Sequence, residues 1–330
     1  MSRTPGAQLV DSLMEATVVP SFSRVGYHVR RRLFDWMPLD SLRLDGKTAI
    51  VTGATGGLGR WAAEAMARQG ARVCLVGRDR KRTERARTEI ASATGAEVGA
   101  ELADLSSLAE TAALAERFAS SHDRLDILLL NAGLLTHGYA ETREGNEVTL
   151  ATHVLSQFLL TSALRPLLEA SSPARVVSVS SGGMYAVPLD VDALVPDAAS
   201  YDGTKQYARC KRAQVVLSEE WTRNLLGTGV VVNAMHPGWA DTPGIRTALP
   251  GFSRLLGPFL RTPEEGADTM VWLTGAPEAG ELSGLFFLDR RPRTKHRLPR
   301  TRRPDEPREA ARLWQLCLDR TAPYRTDAAS

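Results

Sequence analysis

Short apolar runs alternate with amphipathic segments from residue 47 onward. In the amphipathic segments, such as 60–69, 107–120 and 211–225, apolar residues recur at helical spacing. Strands that alternate with helices are typical of a parallel sheet covered on both faces. The pattern therefore predicts an α/β fold, a doubly wound parallel sheet of about seven strands. The predicted strands lie in the runs KTAIVT, ARVCLVG, DILLLNAG, RVVSVSS, VVVNAMHPG and LFFLD.

Both ends of the chain lack this alternation. We predict an N-terminal arm over residues 1–44, the α/β domain over residues 45–290, and a basic C-terminal tail with a terminal helix over residues 291–330. Residues 18–37 combine aromatic side chains with three consecutive arginines, so they form either a helix packed on the domain with a solvated basic face or a helix at a membrane surface. The Arg- and Pro-rich run 289–309 is expected to be a solvated, mobile connector, with binding to anionic lipid or nucleic acid as the alternative.

Composition and charge narrow the function classes. The 330-residue chain has a net charge of +3, with 24% charged and 43% hydrophobic residues, so no chain-wide attraction to nucleic acid is indicated. Cys74, Cys210 and Cys317 lie far apart without a C-x-x-C pair, and no cluster of His, Cys and acidic residues has metal-ligand spacing. No run approaches the ~18 apolar residues of a membrane-spanning helix, and no secretory signal is recognisable. We therefore expect a cytoplasmic protein without a metal.

A glycine-rich segment, TGATGGLG, follows the first predicted strand at residues 52–59 and leads into a helix that starts near Arg60. Gly53, Gly57 and Gly59 permit a tight turn and a close approach of backbone N–H groups to a pyrophosphate. The helix N-terminus adds a favourable partial charge. At the start of a βαβ unit, such a loop predicts a dinucleotide phosphate site.

The pattern Tyr-x-x-x-Lys occurs twice in residues 201–211, as Tyr201 with Lys205 and as Tyr207 with Lys211. Residues four apart share a helix face, and a nearby cation lowers the cost of ionising a phenol, so either pair suits acid–base chemistry. Lys211 opens a strongly periodic run, whereas the triplet DGT after Tyr201 is turn-like. The residues favour Tyr207 and Lys211 as the active pair and place the first pair in a loop, over the substrate mouth, that precedes the helix.

The spacing T-G-x-x-x-G-x-G resembles the short-chain dehydrogenase/reductase family, and other motifs follow in that family's order. Asn-Ala-Gly ends the fourth strand at 131–133, Ser181 ends the fifth, and Pro-Gly at 237–238 follows the sixth, about thirty residues after Tyr207 as in the family. The resemblance covers about residues 45–290, and further phrases extend a narrower likeness into the arm and the tail. It implies a Rossmann-type fold and a nicotinamide dinucleotide, with Asp104 at the adenine ring. The contacts it implies are Thr52, Gly53, Thr55, Gly57, Leu58, Gly59, Asp104, Leu105, Asn131, Ala132, Gly133, Tyr207, Lys211, Pro237, Gly238 and Thr242.

The end of the second strand decides between NAD and NADP. An acid usually holds a ribose 2′-hydroxyl there, whereas a 2′-phosphate needs a cation. The strand ends at Gly77, and Arg78 follows it with a guanidinium that can grip a phosphate through two hydrogen bonds. Asp79 offers Arg78 a competing partner. We expect NADP(H), with NAD(H) as the less favoured cofactor.

The resemblance assigns the chemistry to Ser181, Tyr207 and Lys211. A free phenol has a pKa of about 10, and a protonated Lys211 is expected to lower the pKa of Tyr207 and to hold the nicotinamide ribose. Tyr207 is then the acid in reduction and the base in oxidation, while Ser181 polarises the carbonyl oxygen. Ser180 points to the other face of its strand and is expected to pack.

His153 departs from the family pattern. Many members place an Asn in the helix after the fourth strand, where it completes a water-linked proton path to the Lys. Here residues 153–161 are HVLSQFLLT, with His153 in the place of the Asn. Two interpretations stay open, a hydrogen-bonded structural His or a replacement in the relay, because imidazole can pass protons and hold a water. His236, before Pro237, is expected to support or pack rather than to catalyse.

Two functions follow from these residues. The favoured one is NADP(H)-dependent oxidoreduction of a small carbonyl or alcohol substrate, with residues 249–261 and 182–203 around it. The apolar character of the first segment favours a lipophilic compound. The alternative is a cofactor-binding scaffold with little turnover, which the departure at His153 and the long extensions motivate and the intact Ser, Tyr and Lys oppose. A homo-oligomer and peripheral membrane contact through the arm are the further partners considered, and nucleic acid is not expected.

Overall fold

An eight-stranded sheet forms the centre of the computed structural model, which describes residues 5–241, 251, 256–297, 301 and 307–325. The strands are β1 Thr48–Thr52, β2 Arg72–Gly77, β3 Val98–Leu102, β4 Ile127–Leu130, β5 Ala174–Val179, β6 Val230–Met235, β7 Phe286–Leu288 and β8 Arg291–Pro292. Their order is β3-β2-β1-β4-β5-β6-β7-β8, and every neighbouring pair is parallel except β7 with β8. The predicted doubly wound parallel sheet is confirmed.

The strand β3 is the one parallel strand that no long apolar run indicates. It lies at the edge of the sheet and pairs with β2 alone, so only Val98 in it is fully buried. Gly99 is exposed and Glu101 is half-buried. An edge strand needs less apolar surface than a central one, which leaves the sequence signal weak.

The described helices of the arm are α1 Pro5–Glu15, α2 Val18–Phe22 and α3 Arg24–Leu33; those of the domain are α4 Gly57–Arg68, α5 Arg80–Thr94, α6 Leu108–Ser121, α7 Val148–Leu150, α8 Ser156–Ala170, α9 Gly203–Asn224 and α10 Pro263–Gly275; the tail contributes α11 Pro307–Thr321. One face of the sheet packs on α4, α5 and α10 and the other on α6, α8 and α9. Alternate strand residues serve the two layers, with Ile50 and Leu128 on one side and Val51 and Leu129 on the other. Each such fully buried aliphatic side chain stabilises the fold by about 1.5–3 kcal/mol.

Side-chain caps start several of the helices around the sheet. Asp79 accepts a hydrogen bond from the backbone N–H of Arg82 at the start of α5, and Ser107 starts α6 in the same way. Asp202 accepts two backbone N–H groups at the start of α9, and Thr262 forms a capping box at the start of α10. These oxygens satisfy N–H groups that have no partner within the helix.

A π-helical turn over Ala151–Leu155 joins α7 to α8 and contains His153. Such a turn admits one more residue than an α-helical turn and re-aims the side chains near it. Every residue of this turn is buried. The wider turn thus places His153 inside the domain, beside the ends of the central strands.

The arm packs on the domain, but its basic cluster is not solvated throughout. Arg30 has no exposed surface, and its guanidinium contacts Asp11 at 2.8 Å, Glu15 at 2.6 Å and Asp289 at 2.6 Å. Arg31 and Arg32 are exposed. The expectation of a wholly solvated basic face is therefore wrong for Arg30, because α1 of the arm and Asp289 of the domain surround its guanidinium with carboxylates.

The expectation of a solvated connector is wrong for residues 289–297. Arg293 is almost fully buried and contacts Asp11 at 2.8 Å, while Arg290 grips Asp268 through two hydrogen bonds of 2.6 and 2.7 Å. Residues 298–300 and 302–306 lie outside the described residues. The predicted terminal helix is present as α11, and its apolar face packs on the same layer as α6, α8 and α9.

Among the described residues, none of the helices combines the length and the apolar character needed to cross a membrane. Likewise, no group of His, Cys, Asp and Glu side chains in the described ranges has the arrangement of a metal site.

Candidate active site

The carboxyl ends of the central strands meet where the strand order reverses, between β1 and β4. In open parallel sheets, ligands bind at this edge because neighbouring crossovers leave in opposite directions and open a crevice. The glycine loop follows β1 and Asn131 follows β4. The motif residues that lie far apart in the sequence are therefore brought together here.

The glycine loop lies against the end of β4 at van der Waals distance. Gly53 has φ +66°, and a Cβ on it would lie 2.9 Å from the Cα of Ala132. A Cβ on Gly59 would lie 2.3 Å from Nδ2 of Asn131. Both positions therefore require glycine. Helix α4 begins at Gly57 without a side-chain cap, which leaves its first N–H groups available to an anion.

Thr52 and Asn131 connect the glycine loop to β4. Thr52 Oγ1 accepts hydrogen bonds from the backbone N–H groups of Asn131 at 2.9 Å and Ala132 at 3.0 Å. Asn131 Nδ2 returns a hydrogen bond to the carbonyl of Thr52 at 2.9 Å. Gly133 is exposed, and a Cβ on it would lie 2.8 Å from Cε1 of His153. This network fixes the relative position of two predicted cofactor-contacting segments.

The predicted adenosine end lies beyond β2 and β3. Arg78 is exposed, and no ion pair joins it to a carboxylate in the parts of the chain that the structure describes. Asp79 caps α5 instead, with its Oδ1 2.8 Å from the backbone N of Arg82. Asp104 accepts two hydrogen bonds from Ser106 and remains partly exposed, whereas Leu105 is 8% exposed and belongs to the core. Arg78 is therefore exposed, and unpaired among the described residues, at the position predicted to select the cofactor.

Tyr207 and Lys211 lie one turn apart on α9, beside Ser181 at the end of β5. Lys211 is 3% exposed, and its Nζ donates a hydrogen bond to the carbonyl of Val179 at 2.8 Å. The same Nζ lies 5.5 Å from the centre of the Tyr207 ring. Ser180 Oγ donates to the carbonyl of Lys211 at 2.7 Å and is buried, which agrees with its predicted packing role.

The ionisation of this pair differs from the prediction. Burial raises the pKa of Tyr207, and its hydrogen bond with Ser181 lowers that pKa only in part. Burial also lowers the pKa of Lys211 to about 7. The predicted lowering of the Tyr207 pKa is wrong, because the desolvation of the phenol outweighs the opposing hydrogen bond with Ser181. A protonated Tyr207 is the form that donates a proton.

The other pair, Tyr201 and Lys205, is not placed for catalysis. Tyr201 lies before the helix, and its hydroxyl hydrogen-bonds with Thr136 at 2.7 Å and donates to Glu147 at 3.0 Å. Lys205 is exposed and lies 3.4 Å from Asp202, the cap of α9. The prediction that Lys205 lies in the loop before the helix is wrong, since α9 already begins at Gly203, two residues before Lys205. A turn-like triplet here forms a helix cap instead of a longer loop.

His153 is fully buried between the predicted cofactor-contacting segment after β4 and the predicted catalytic helix α9. Its Nε2 lies 2.9 Å from both the backbone N and the carbonyl O of Leu134, while Nδ1 has no partner in the described parts of the chain. Its ring lies edge-on to Tyr207, with 5.5 Å between the ring centres. Burial, reinforced by nearby Lys211, holds the pKa of His153 well below its usual range. The low pKa favours a neutral imidazole, and its Nδ1 is unpaired among the described residues.

The Pro237-Gly238 motif follows β6. Gly238 has φ +72°, and a Cβ on it would lie 2.5 Å from the guanidinium of Arg261. Arg261 donates a hydrogen bond to the carbonyl of Pro237 at 3.2 Å. His236 is buried, and its Nδ1 accepts a hydrogen bond from the backbone N–H of Gly238 at 3.3 Å, as a supporting residue does. Thr242 lies outside the described residues.

A sequence profile described as short chain dehydrogenase matches residues 47–250. The chain belongs to this family. The match includes the glycine loop, Ser181 and the Tyr207–Lys211 pair, and this short-chain dehydrogenase is an NAD(P)-dependent oxidoreductase.

The similarity of this short-chain dehydrogenase to known proteins extends beyond the residues that the profile matches. The chain is 38% identical to dehydrogenase/reductase SDR family member 12 of Bos taurus, over 89% of this chain and 92% of that protein. It is 35% identical to retinol dehydrogenase 13 of Homo sapiens, over 82% of this chain and 83% of that protein. The Pseudomonas aeruginosa RhlG/NADP active-site complex superposes with a TM-score of 0.62 at 29% identity, covering 76% of this chain and 97% of that one. The narrower likeness that extends into the arm and the tail is confirmed, since the first match covers most of the chain.

The residues of this short-chain dehydrogenase fit a nicotinamide dinucleotide. The uncapped start of α4 and the glycines that admit no Cβ form a cradle for a pyrophosphate. Leu58, next to Gly59, packs against α10, so its side chain supports the loop while its backbone remains in the cradle. Thr55 lies over Gly77, where a Cβ would meet its Cγ2 at 2.6 Å. The family's cofactor therefore has a matching donor set here.

Three residues near the site escape prediction from the sequence. Arg261 and Phe22 contact the Pro237-Gly238 loop, and Arg82 reaches the glycine loop, with Nη2 3.7 Å from a Cβ placed on Gly56. Arg82 had a signal, since it lies one helical turn after Arg78. Phe22 had none, because the loop it contacts lies more than 200 positions away, and Arg261 had none, because 24 positions separate it from Pro237. Of the predicted substrate segment 249–261, positions 249, 250 and 252–255 lie outside the described residues.

Proposed function

We propose that this short-chain dehydrogenase transfers a hydride between NADP(H) and the carbonyl or alcohol group of a lipophilic small molecule. The observation that carries the proposal is the placement of Tyr207 and Lys211 on one face of α9, beside Ser181 and the crevice that holds the glycine loop. A cofactor-binding scaffold has no need for a buried lysine beside a buried phenol, because burying both groups costs free energy.

The cofactor, when bound, supplies or accepts the hydride. The residues proposed to hold it are Thr52, Gly53, Thr55, Gly57, Leu58, Gly59, Arg78, Asp104, Leu105, Asn131, Ala132, Gly133, Tyr207, Lys211, Pro237, Gly238 and Thr242. NADP(H) is proposed over NAD(H) because Arg78 is exposed and Asp79 is committed to the cap of α5. The presence of NADP in the RhlG complex supports the same choice.

The protein's own groups handle the proton. Tyr207, whose pKa is raised by burial, is protonated at neutral pH and donates a proton to the substrate oxygen in reduction. In oxidation, the deprotonated form of Tyr207 accepts the proton of the substrate hydroxyl. Ser181 donates a hydrogen bond to the substrate oxygen as negative charge develops on it. Lys211 restores the proton on Tyr207, for which a pKa of about 7 is well matched to neutral pH.

His153 is proposed to stand in the relay that connects Lys211 to solvent. Its buried Nδ1 has no partner in the described part of the chain, and a buried polar atom without a partner is costly unless a water or a proton carrier meets it. The Nζ of Lys211 donates one hydrogen bond to the carbonyl of Val179, and its remaining hydrogen-bonding capacity is proposed to serve the relay. A water between Nδ1 and that region would complete the path.

The lipophilic character of the substrate rests on two observations. Phe259, in the predicted substrate segment, is 48% exposed. A relative carries the name retinol dehydrogenase 13, and retinol is an apolar alcohol. A cytoplasmic location with peripheral contact at a membrane, where such substrates partition, is proposed with it, and a homo-oligomer is proposed from the habit of the family alone.

The proposed function is tested by mixing the purified protein with NADPH and a panel of aldehydes and ketones of increasing apolar size. We expect NADPH oxidation, with kcat/KM rising with chain length. Binding of NADPH without oxidation by any compound, and without an effect of Tyr207→Phe, would support the scaffold function instead.

A further inference from the structure

Phe22 of the arm packs directly behind the proposed catalytic serine. It ends α2, is 3% exposed, and its ring lies 2.6 Å from the position of a Cβ on Gly182. The ring also meets His236 edge-on, with 4.5 Å between ring centres, and Trp239 at 5.9 Å. Gly182 follows Ser181, and the other two residues flank the Pro-Gly motif. One arm side chain therefore contacts both loops that border the proposed reaction centre.

Backbone hydrogen bonds hold the arm to the second of these loops. The carbonyl of Phe22 accepts a hydrogen bond from the backbone N–H of Trp239 at 2.8 Å. Buried Arg261 donates both to the carbonyl of Ser23 and to that of Pro237, each at 3.2 Å. The position of Phe22 is thus set by the backbone on each side of it and not by packing alone.

Two buried arginines share the carboxylate of Asp289. Arg30 of the arm contacts it at 2.6 Å, and Arg261 grips it through bonds of 2.6 and 2.9 Å. Asp289 has φ +56°, a left-handed conformation that costs free energy in a non-glycine residue. The two ion pairs offset that cost and fix α3 of the arm to the loop before α10 and to the end of β7.

The tail covers the outer side of the same ring. The Arg297 guanidinium lies 5.0 Å from the centre of the Phe22 ring and donates to the carbonyl of Thr17 at 2.6 Å. Arg293 contacts Asp11 of α1 at 2.8 Å. Arm and tail together therefore enclose Phe22 and press it against the domain.

We propose that Phe22 is a positioning residue of the active site, which fixes the Ser181–Gly183 loop relative to the Pro237–Trp239 loop. The inference rests on the proposed function, because these loops carry the groups assigned to the substrate oxygen and to the nicotinamide end. Gly182 and Gly183 have no side chains with which to anchor the first loop. The loop is held by hydrogen bonds between sequence neighbours, such as that from the Gly183 N–H to Ser181 Oγ at 3.2 Å, and by the phenyl ring behind it.

Hydrogen–deuterium exchange tests the positioning directly and does not depend on turnover. In Phe22→Ala, we expect the peptides that cover 178–186 and 236–241 to exchange at least tenfold faster than in the wild-type protein. Peptides from β1 to β3 should be unchanged. Val19→Ala is the matched control, because Val19 lies on the same short helix but is 52% exposed. Unchanged exchange in both loops would overturn the proposal, as would equal acceleration throughout the chain.

Kinetics give the functional test, with rates expressed per NADPH-binding site so that unfolded protein does not count. Phe22→Ala should lower kcat at least tenfold and change the Kd of NADPH less than threefold, and Phe22→Leu should restore most of kcat. A wild-type kcat in Phe22→Ala would overturn the positioning role while leaving the proposed function intact. Absence of turnover in the wild-type protein with every compound would count against the proposed function, and the exchange result would still decide the positioning role.

A size swap tests whether Phe22 acts through Gly182. A methyl group on Gly182 would clash with the ring, so Gly182→Ala should accelerate loop exchange in the wild-type background and do so less in Phe22→Leu. Gly183→Ala is the control, because its Cβ would find no atom nearer than 3.7 Å. Its effect should not depend on the residue at position 22. Additive effects of Gly182→Ala and Phe22→Leu would contradict the proposed contact.

Discussion

Tyr207 and Tyr201 have the same spacing to a lysine and opposite surroundings. The phenol of Tyr207 shares a hydrogen bond with Ser181 and lies above the buried Lys211, whereas that of Tyr201 is bonded to Glu147 and Thr136. Burial and partners, and not the motif, therefore separate the proposed acid from a residue that supports the loop before α9.

Replacing each tyrosine by phenylalanine separates these roles. Tyr207→Phe removes the only proton donor proposed at the substrate oxygen, so kcat should fall by about 10²–10⁴-fold. Tyr201→Phe removes a hydroxyl from the Thr136–Glu147 cluster, and kcat should stay within about threefold. Steady-state kinetics with the best carbonyl compound measure both. Equal losses in the two variants would contradict the assignment.

The depressed pKa of Lys211 predicts a stability that depends on pH. In the unfolded chain a lysine titrates near 10.4, whereas burial lowers the pKa of Lys211 to about 7 in the folded protein. Between these values the unfolded state binds the extra proton, so the free energy of unfolding rises with pH, by about 1.4 kcal/mol per pH unit.

Urea unfolding of the cofactor-free protein between about pH 7 and 10 measures this slope. Lys211→Met should lose it relative to the wild type, because the methionine does not titrate. Lys205→Met is the matched control, since Lys205 is exposed and its removal should leave the slope unchanged. Identical slopes in the wild type and Lys211→Met would show that Lys211 has an ordinary pKa.

Arg78 is expected to select NADP(H) by its charge. Arg78→Ala should raise the Kd of NADPH about 10- to 100-fold, the loss of a charge-assisted hydrogen bond, and leave the Kd of NADH within about twofold. Arg72, at the other end of β2 and paired with Glu97, provides the control through Arg72→Ala. Fluorescence titration measures both constants. A parallel loss for NADPH and NADH would contradict the selection.

The helical segment from α7 to α8 contains His153, the residue at which this chain departs from the family pattern. The π-helical turn buries His153 and sets its ring edge-on to Tyr207. The hydrogen bonds of the His153 Nε2 with the Leu134 backbone agree with the structural interpretation. The Nδ1, which has no partner among the described residues, favours the relay instead, because a packing role would need no polar atom there.

Substitution of His153 tests the relay. His153→Asn should retain most of kcat, since an amide holds a water as the family residue does, whereas His153→Phe should lose about tenfold or more and alter the pH dependence of kcat. Thermal unfolding of each variant shows whether the loss comes from folding. Full turnover with an unchanged pH profile in both variants would end the relay hypothesis.

Across the whole molecule, exposed large apolar side chains concentrate on the arm. Among the described residues most of them lie between Leu9 and Val25, with Leu9 and Leu13 exposed by 63% and 62%. Helix α1 turns Asp11 inward to the arginines of the arm and the tail and its apolar residues outward. Arg31 and Arg32 are exposed on α3. An outward apolar face with neighbouring cations suits contact with an anionic lipid surface.

Vesicle flotation tests this contact in the full-length chain, because the arm is part of the active-site packing and cannot be deleted without consequence. The wild-type protein should float with phosphatidylcholine vesicles containing phosphatidylserine at low salt. Leu9→Ser with Leu13→Ser should reduce the floated fraction severalfold, while Leu226→Ser, at an exposed residue far along the chain, should not. Absence of the wild-type protein from the floated fraction would exclude the membrane surface.

Local patterns were sufficient for the sheet and for the glycine-rich turn after β1, and they favour Tyr207 with Lys211 over Tyr201 with Lys205. Central strands such as β4 read as continuous apolar runs because they are buried on both faces, and Gly53 and Gly59 leave a signature because no Cβ fits there. The edge strand β3 and the start of α9 escaped, because a half-exposed strand and a helix cap resemble loops in the sequence. Both features were therefore missed because their local sequence signals are weak.

The amino-acid sequence by itself determined the fold class, the family motifs and the residue types at the reaction centre, since these depend on short spacings and on the side chains present. The folded chain alone decided the ionisation of Tyr207 and Lys211, which follows from burial. It also decided that the arm and the tail close on Phe22, through the contact of Arg30 with Asp289 and that of Arg297 with the Phe22 ring. Those contacts join residues hundreds of positions apart, and no local pattern encodes which distant charge or glycine a side chain will meet.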